Sequence, residues 1–277
     1  MAKVKSIIKF IGTIKGKTFY FLKGHYISRK ANPPTKDQIN NDPRFVKVKA
    51  NTKEFGGASV LSKAIRIGLG ENEKLFKDTR FTSRLTGTCR KIIQKGKGKP
   101  GEREANLANM PEALIGFQLQ KHQIFNRIFP ATPIITKNAN QEFITISIPK
   151  VNLASTKQIS AGTTHFKLIA AIGAVAIHKW DKKSQKYKPT KLKSNGLKTM
   201  AITDPLLCNQ EHQNVILIVS NPIKQNRFQI PKINRLSPWP PQRISITVWL
   251  GITFGSMEGK NYELQNYPRA MECIAIL

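Results

Sequence analysis

Acidic residues, cysteines and long apolar runs are all scarce in this sequence. Asp and Glu total 16 against 46 Lys and Arg in 277 residues, a formal net charge of +30. So few carboxylates leave little material for paired-acid chemistry, and Asp181, Asp204 and Glu211 stand isolated in the C-terminal half. The three cysteines, Cys89, Cys208 and Cys273, are far apart and show no CxxC spacing. That argues against a zinc ribbon or a disulfide framework and for reduced, mostly buried thiols. The longest apolar run, residues 168–177, is half of a membrane span. Lys9, Lys15 and Lys17 interrupt the apolar stretches near the N-terminus, and no small-residue cleavage site follows them. A soluble, cytoplasmic protein is expected.

Catalytic spacings are missing as well. The segment Gly12-x-x-x-Gly16-Lys17-Thr18 is one residue short of a phosphate-binding loop. The β-prone run Phe19-Tyr20-Phe21 follows it, where that loop needs a helix N-terminus. No GxSxG elbow occurs. The histidines His25, His122, His165, His178 and His212 form no HxH or HxxxH pair. An unbulged strand would put His165 and His178 on opposite faces. No metal, cofactor or catalytic residue is expected, and a non-enzymatic protein is the reading; an enzyme would need a site assembled from residues distant in sequence.

What is present is a core and an uneven positive charge. Hydrophobic residues make up 40% of the chain, enough to pack a core. Residues 1–100 hold 24 Lys and Arg against 6 Asp and Glu, a net +18, and residues 101–277 hold 22 against 10, a net +12. Short β-prone runs punctuated by Lys15-Gly16 and Lys23-Gly24 predict a small antiparallel β unit over residues 4–30. Asn41-Asp42-Pro43 is a helix start. Phe81, Leu85, Cys89, Ile92 and Ile93 recur with helical spacing, predicting a helix over 79–94. A weaker helix with a face of Phe55, Leu61, Ile65 and Leu69 is burdened by Gly56, Gly57, Gly68 and Gly70. Another short helix is expected over 107–120, then a Pro- and aromatic-rich linker over 125–133.

Beyond residue 140 the pattern is β. Ile144, Ile146 and Ile148 alternate, putting one apolar face on a strand. Residues 164–177 form a long strand with Gly173 as a candidate bulge. Further strands are expected over 198–203, 215–220, 244–254 and 271–277, with a turn at Glu258-Gly259-Lys260. The fold class is therefore α+β: an N-terminal antiparallel β unit, a basic helical middle and a C-terminal antiparallel β-sandwich. The expected divisions are residues 1–130 and 140–277.

Several stretches in order carry a resemblance. They are Gly12 to Tyr20, then Asn41-Asp42-Pro43-Arg44-Phe45 with Asn51 and Glu54-Phe55-Gly56, then Gly162-Thr163-Thr164-His165-Phe166-Lys167-Leu168. The chain resembles a family of uncharacterised proteins from Bacteroidota and their mobile elements. The resemblance covers most of the chain and is clearest in residues 1–60. It implies architecture and carries no activity.

The basic residues form the strongest functional signal. Lys47, Lys49, Lys53, Arg80, Arg84, Arg90, Lys91, Lys95, Lys97 and Lys99 are candidates for contact with a polyanion, nucleic acid foremost. A second basic segment carries Lys182, Lys183, Lys186 and Lys188, flanked by Lys179, Lys191 and Lys193. Trp180 and Tyr187 interleave it, either to stack on bases or to anchor a hairpin loop on the core, the latter favoured. Pro238-Trp239-Pro240-Pro241 reads as a rigid connector. The β half is expected to contact protein partners or another copy, which leaves a structural subunit of a particle or surface assembly as the alternative.

Overall fold

The structure is a computed structural model. It describes residues 2–3, 11–31, 34–153, 159, 162–225, 244–259 and 261–277. Residues 4–10 of the expected β unit and the Pro238–Pro241 connector lie outside these residues. The chain divides into two compact units, Met1–Ala50 and Asn51–Leu277. The architecture is α+β: an N-terminal antiparallel sheet, a helical middle and C-terminal antiparallel sheets.

In the first unit, β1 (Ala2–Lys3), β2 (Gly12–Ile14), β3 (Lys17–Leu22) and β4 (His25–Lys30) form an antiparallel sheet in the order β1-β4-β3-β2. Lys15-Gly16 and Lys23-Gly24 are its two-residue turns, with φ of 46° and 74° and of 51° and 79°. Both positions left-handed is the type I′ geometry, whose twist matches that of the flanking strands. Helix α1 (Lys36–Asn41) opens with a capping box between Thr35 and Gln38. Asp42 then caps a short 3-10 turn, Pro43–Phe45, that runs into α2 (Val46–Leu69).

In the second unit, α2 continues into α3 (Asn72–Phe76) and α4 (Phe81–Gln94). The five apolar residues of α4 are fully buried, as their spacing predicts. Helix α2 is unbroken across its glycines, each of which costs about 1 kcal/mol of helix propensity. Two of them permit close packing. A Cβ at Gly57 would lie 2.9 Å from the Tyr187 ring, and one at Gly68 would lie 2.9 Å from the Cα of Gly173.

The helix expected over 107–120 is absent. Two 3-10 turns, Leu107–Asn109 and Pro111–Ala113, stand in its place. Pro111 disfavours a helical Met110, which sits at φ −159°, ψ 66°. The following residues pair with a strand: Leu119 N donates to Met271 O (3.0 Å) and Cys273 N to Phe117 O (3.1 Å). The expected linker is also corrected. It contains α5 (Phe125–Ile128), and Phe125, Ile128 and Phe129 are fully buried in the β core.

The remaining elements are β5 (Ile134–Lys137), β6 (Phe143–Asn152), β7 (His165–Ala176), β8 (His178–Asp181), β9 (Lys186–Pro189), β10 (Lys198–Ile202), β11 (Leu206–Leu207), β12 (Glu211–Ser220), α6 (Pro222–Gln225), β13 (Ile244–Glu258) and β14 (Asn261–Ile276). One antiparallel sheet runs β12-β6-β5, the other β10-β7-β13-β14, with β11 also on β7. Between them lies one core. Ile144, Ile146, Ile148, Leu217 and Val219 share it with Leu168, Ile172, Val248 and Ile252. The opposite face of the larger sheet carries Ile169, Ala171, Val175, Trp249, Met271 and Cys273, packed with Leu61, Ile65, Leu85 and Ile92 of α2 and α4. Strands β7 and β13 are thus buried on both faces, which is why residues 168–177 are apolar without alternation. Gly173 is not a bulge: Lys198 and Thr247 pair with it in unbroken register. The irregularities lie between β13 and β14, at Val248/Trp249 and at Thr253/Gly255.

Candidate polyanion interface

The basic loop after α4 is held from beneath by buried acid. Glu54, only 2% exposed, projects from α2. Its Oε1 accepts from the backbone N–H of Gly101 (2.9 Å) and from Arg103 Nη1 (3.2 Å). Glu102 lies 3.6 Å from both Lys53 Nζ and Lys99 Nζ. A side chain at Gly96 is impossible without rearrangement, since its Cβ would meet the Glu104 carbonyl. With the backbone pinned in this way, Lys95, Lys97 and Lys99 remain exposed.

The chain leaving this loop docks on the second basic segment. Ala105 N donates to His178 O (2.8 Å) and His178 N to Ala105 O (3.0 Å), and Tyr187 Oη donates to Arg103 O (2.9 Å). Strands β8 and β9 form a hairpin in which Trp180 pairs with Tyr187 and Lys179 with Lys188. Successive residues of a strand face opposite ways. The aromatic pair therefore turns inward, with ring centroids 5.5 Å apart and Tyr187 against Gly57. Lys53 Nζ sits 4.6 Å from the Trp180 ring centroid. This is the anchoring arrangement, and Tyr187 is not available to stack on a base. Burial, with Glu54 and Glu102 nearby, pushes its phenol up to about 12.

The lysine pair turns outward. Like charges directly opposite on neighbouring strands destabilise a hairpin. Asp181 offsets part of this, and the hydrogen bonds from Lys188, Ser184 and the Lys183 backbone hold its carboxyl down at about 2. Lys182, Lys183, Lys186 and Lys188 are all exposed, and residues 178–193 carry seven lysines against one acid. The loop of Lys95–Lys99 and this hairpin, some 80 residues apart in sequence, are thus adjoining surfaces of one unit.

Other basic candidates fall elsewhere. Arg84 is structural: it donates to Gln118 O (2.9 Å), Leu119 O (2.8 Å) and Asp78 (2.9 Å), over the Phe117 ring. Arg80 is exposed at the start of α4, a helix of about 21 Å by its length. Arg90 is half-buried and Lys91 exposed near its end. Lys47 and Lys49 belong to the first unit, where Lys49 Nζ donates to Asn40 O (3.2 Å).

Comparison with family models, with curated proteins and with solved structures finds no match to this chain. Among the described residues no group of three or more His, Cys, Asp or Glu side chains is placed to hold a metal ion, and no helix is long and apolar enough to cross a membrane. All three cysteines are free and buried, and burial pushes their thiols up, Cys208 to about 11. A cleft of about 530 Å³ is lined by Ser59, Ser62, Lys63, Arg66, Thr86 and Lys198. Arg66 there is committed to Glu73 at 2.9 Å.

Sequence reasoning passed over Glu54, Glu102, Arg103 and the Ala105–His178 bridge. For Glu54 a signal exists: it is the one acid between Asp42 and Glu71. The bridge leaves no local signal, because it joins segments far apart in the chain.

Proposed function

We propose that the protein is a non-enzymatic binding protein whose basic surface contacts a polyanion, nucleic acid foremost. The observation that carries this reading is the meeting of the Lys95–Lys99 loop and the β8–β9 hairpin through the Ala105–His178 bridge. Each lysine segment by itself is strongly basic. Joined, and with the loop backbone pegged by Glu54, they present their lysines from adjoining surfaces, and the outward Lys179–Lys188 pair, which Asp181 offsets only in part, gains from an anion between its members. The test is binding to double-stranded DNA, single-stranded DNA, RNA and heparin over a salt series. The logarithm of affinity is expected to fall linearly with that of salt, and removing Lys95, Lys97 and Lys99 together is expected to lower the duplex slope by about 3. Salt-independent binding, or binding untouched by loss of both lysine groups, overturns it.

A second reading, a subunit of an assembly, is favoured by the outer face of the sheet β12-β6-β5. Ile134, Ser147 and Ile216 form one row across it, and Thr136, Thr145 and Ile218 the next. Ile134, Ile216 and Ile218 are each more than half exposed. These two rows carry no charge on a chain of net +30. Light scattering on wild type and on Ile216→Lys tests it: a multimer lost in the variant supports the reading, and a wild-type monomer with and without nucleic acid sinks it.

A further inference from the structure

The first 36 residues contain nine Lys and Arg and no acid; Asp37 is the first. The same stretch supplies the aromatic residues of the N-terminal sheet. Its register sorts them. Phe21 pairs with Tyr26, Phe19 with Gly12 and Ser28, and Lys17 with Ile14 and Lys30. Residues directly opposite share a face, and every second residue along a strand returns to it. One face therefore presents three rows: Phe21–Tyr26, then Gly12–Phe19–Ser28, then Ile14–Lys17–Lys30. Phe21 is 53% exposed and Ile14 51%. Lys17 and Lys30 are exposed, like charges directly opposite each other. The Phe21 and Tyr26 rings meet edge to face at 5.0 Å. Beside Phe19, Gly12 leaves its own Cβ position in open space.

We propose that this face is a stacking platform for the bases of a single-stranded nucleic acid. Aromatic rings offer π surfaces to any base, and the flanking lysines meet the phosphates. The charge is complementary throughout, since no carboxylate lies in the sheet. A duplex keeps its base faces stacked inside and heparin has none, so neither uses the rings. Rows on one face repeat every two residues, about 7 Å, giving room for two or three bases. These residues are distinct from those of the loop and hairpin, so either site can fail alone.

The test uses the full chain and fluorescein-labelled oligo(dT) and oligo(U), with a duplex of equal length and heparin as controls. Phe21→Leu/Tyr26→Leu keeps apolar bulk and removes the π faces. It is expected to weaken oligo(dT) binding about tenfold or more while leaving duplex and heparin binding unchanged. Phe21→Trp is expected to keep the affinity, with its added emission quenched when oligo(dT) binds. Wild-type affinity in the double Leu variant overturns the platform, as does equal loss for single strand and duplex. If the Leu variant does not fold by circular dichroism, the Phe21→Trp emission decides: an added signal that oligo(dT) leaves unquenched overturns it. Duplex binding without oligo(dT) binding overturns the platform and leaves the loop-and-hairpin reading standing, whereas no binding to any polyanion sinks both.

Discussion

Gly68 of helix α2 and Gly173 of strand β7 cross backbone to backbone. A Cβ built on Gly68 falls 2.9 Å from the Gly173 Cα, and one built on Gly173 falls 2.7 Å from the Gly68 Cα. Neither neighbour is a flexible side chain that can swing away. Helix propensity alone would make Gly68→Ala stabilising by about 1 kcal/mol. The collision outweighs it, and each alanine is expected to destabilise by about 1–3 kcal/mol. Gly56→Ala is the control, because its Cβ meets open space. Thermal melts should place Gly56→Ala at or above wild type and both crossing variants below it.

Removing Glu54 should loosen the basic loop from beneath. A buried carboxylate with two donors leaves Arg103 and the Gly101 N–H without their acceptor when it is lost. Glu54→Ala is expected to cost about 3 kcal/mol. Limited trypsin digestion of the variant should cut first after Lys95 or Lys97, each followed by glycine, and an unchanged cleavage map would contradict the pegging role.

Arg84 and Lys97 should part company when each is replaced by alanine. Arg84 holds two backbone carbonyls and Asp78, so Arg84→Ala is expected to lower the melting temperature and leave duplex affinity near wild type. Lys97 is exposed, so Lys97→Ala is expected to leave the melt unchanged and reduce the salt slope of duplex binding by about 1. Paired melts and anisotropy titrations on the same preparations separate the two.

His178 should make the fold acid-sensitive. It is fully buried, and desolvation pulls its imidazole down to about 4. In the unfolded chain the ring binds its proton near pH 6.5, while the folded ring stays neutral to about 4. Stability from the neutral ring is therefore complete above pH 6.5, drains as pH falls towards 4 and levels off below that. The loss is expected to reach about 3 kcal/mol. Urea titrations at pH 7, 5.5 and 4.5 should show this slope in wild type and a shallower one in His178→Gln.

Local pattern made much of the fold legible. Ile144, Ile146 and Ile148 announce a one-faced strand, Phe81 to Ile93 an amphipathic helix, and the two Lys-Gly pairs their hairpins. What local pattern misjudged depends on partners far away. The α2 glycines read as helix weakeners because Tyr187 and Gly173 are invisible from residues 56–68. Phe125 and Phe129 read as linker because the β core they fill is built from strands that follow. The basic segments were plain in the sequence. Their union at Ala105–His178, and the withdrawal of Arg84 into Asp78, were not.

The sheet of β7, β13 and β14 is apolar on both sides, and this sets an order of events during synthesis. Helices α2 and α4 leave the ribosome long before the surface that covers them exists. Leu85 precedes Met271, its fellow in the shared core, by 186 residues. At cellular elongation rates the interval is on the order of ten seconds or more. Until β13 and β14 follow, the apolar side of α4 can be covered only by earlier-made members of that core, such as α2 and then β7. A nascent chain so arranged will depend on chaperone occupancy, and slowing translation between residues 94 and 244 should lengthen that dependence.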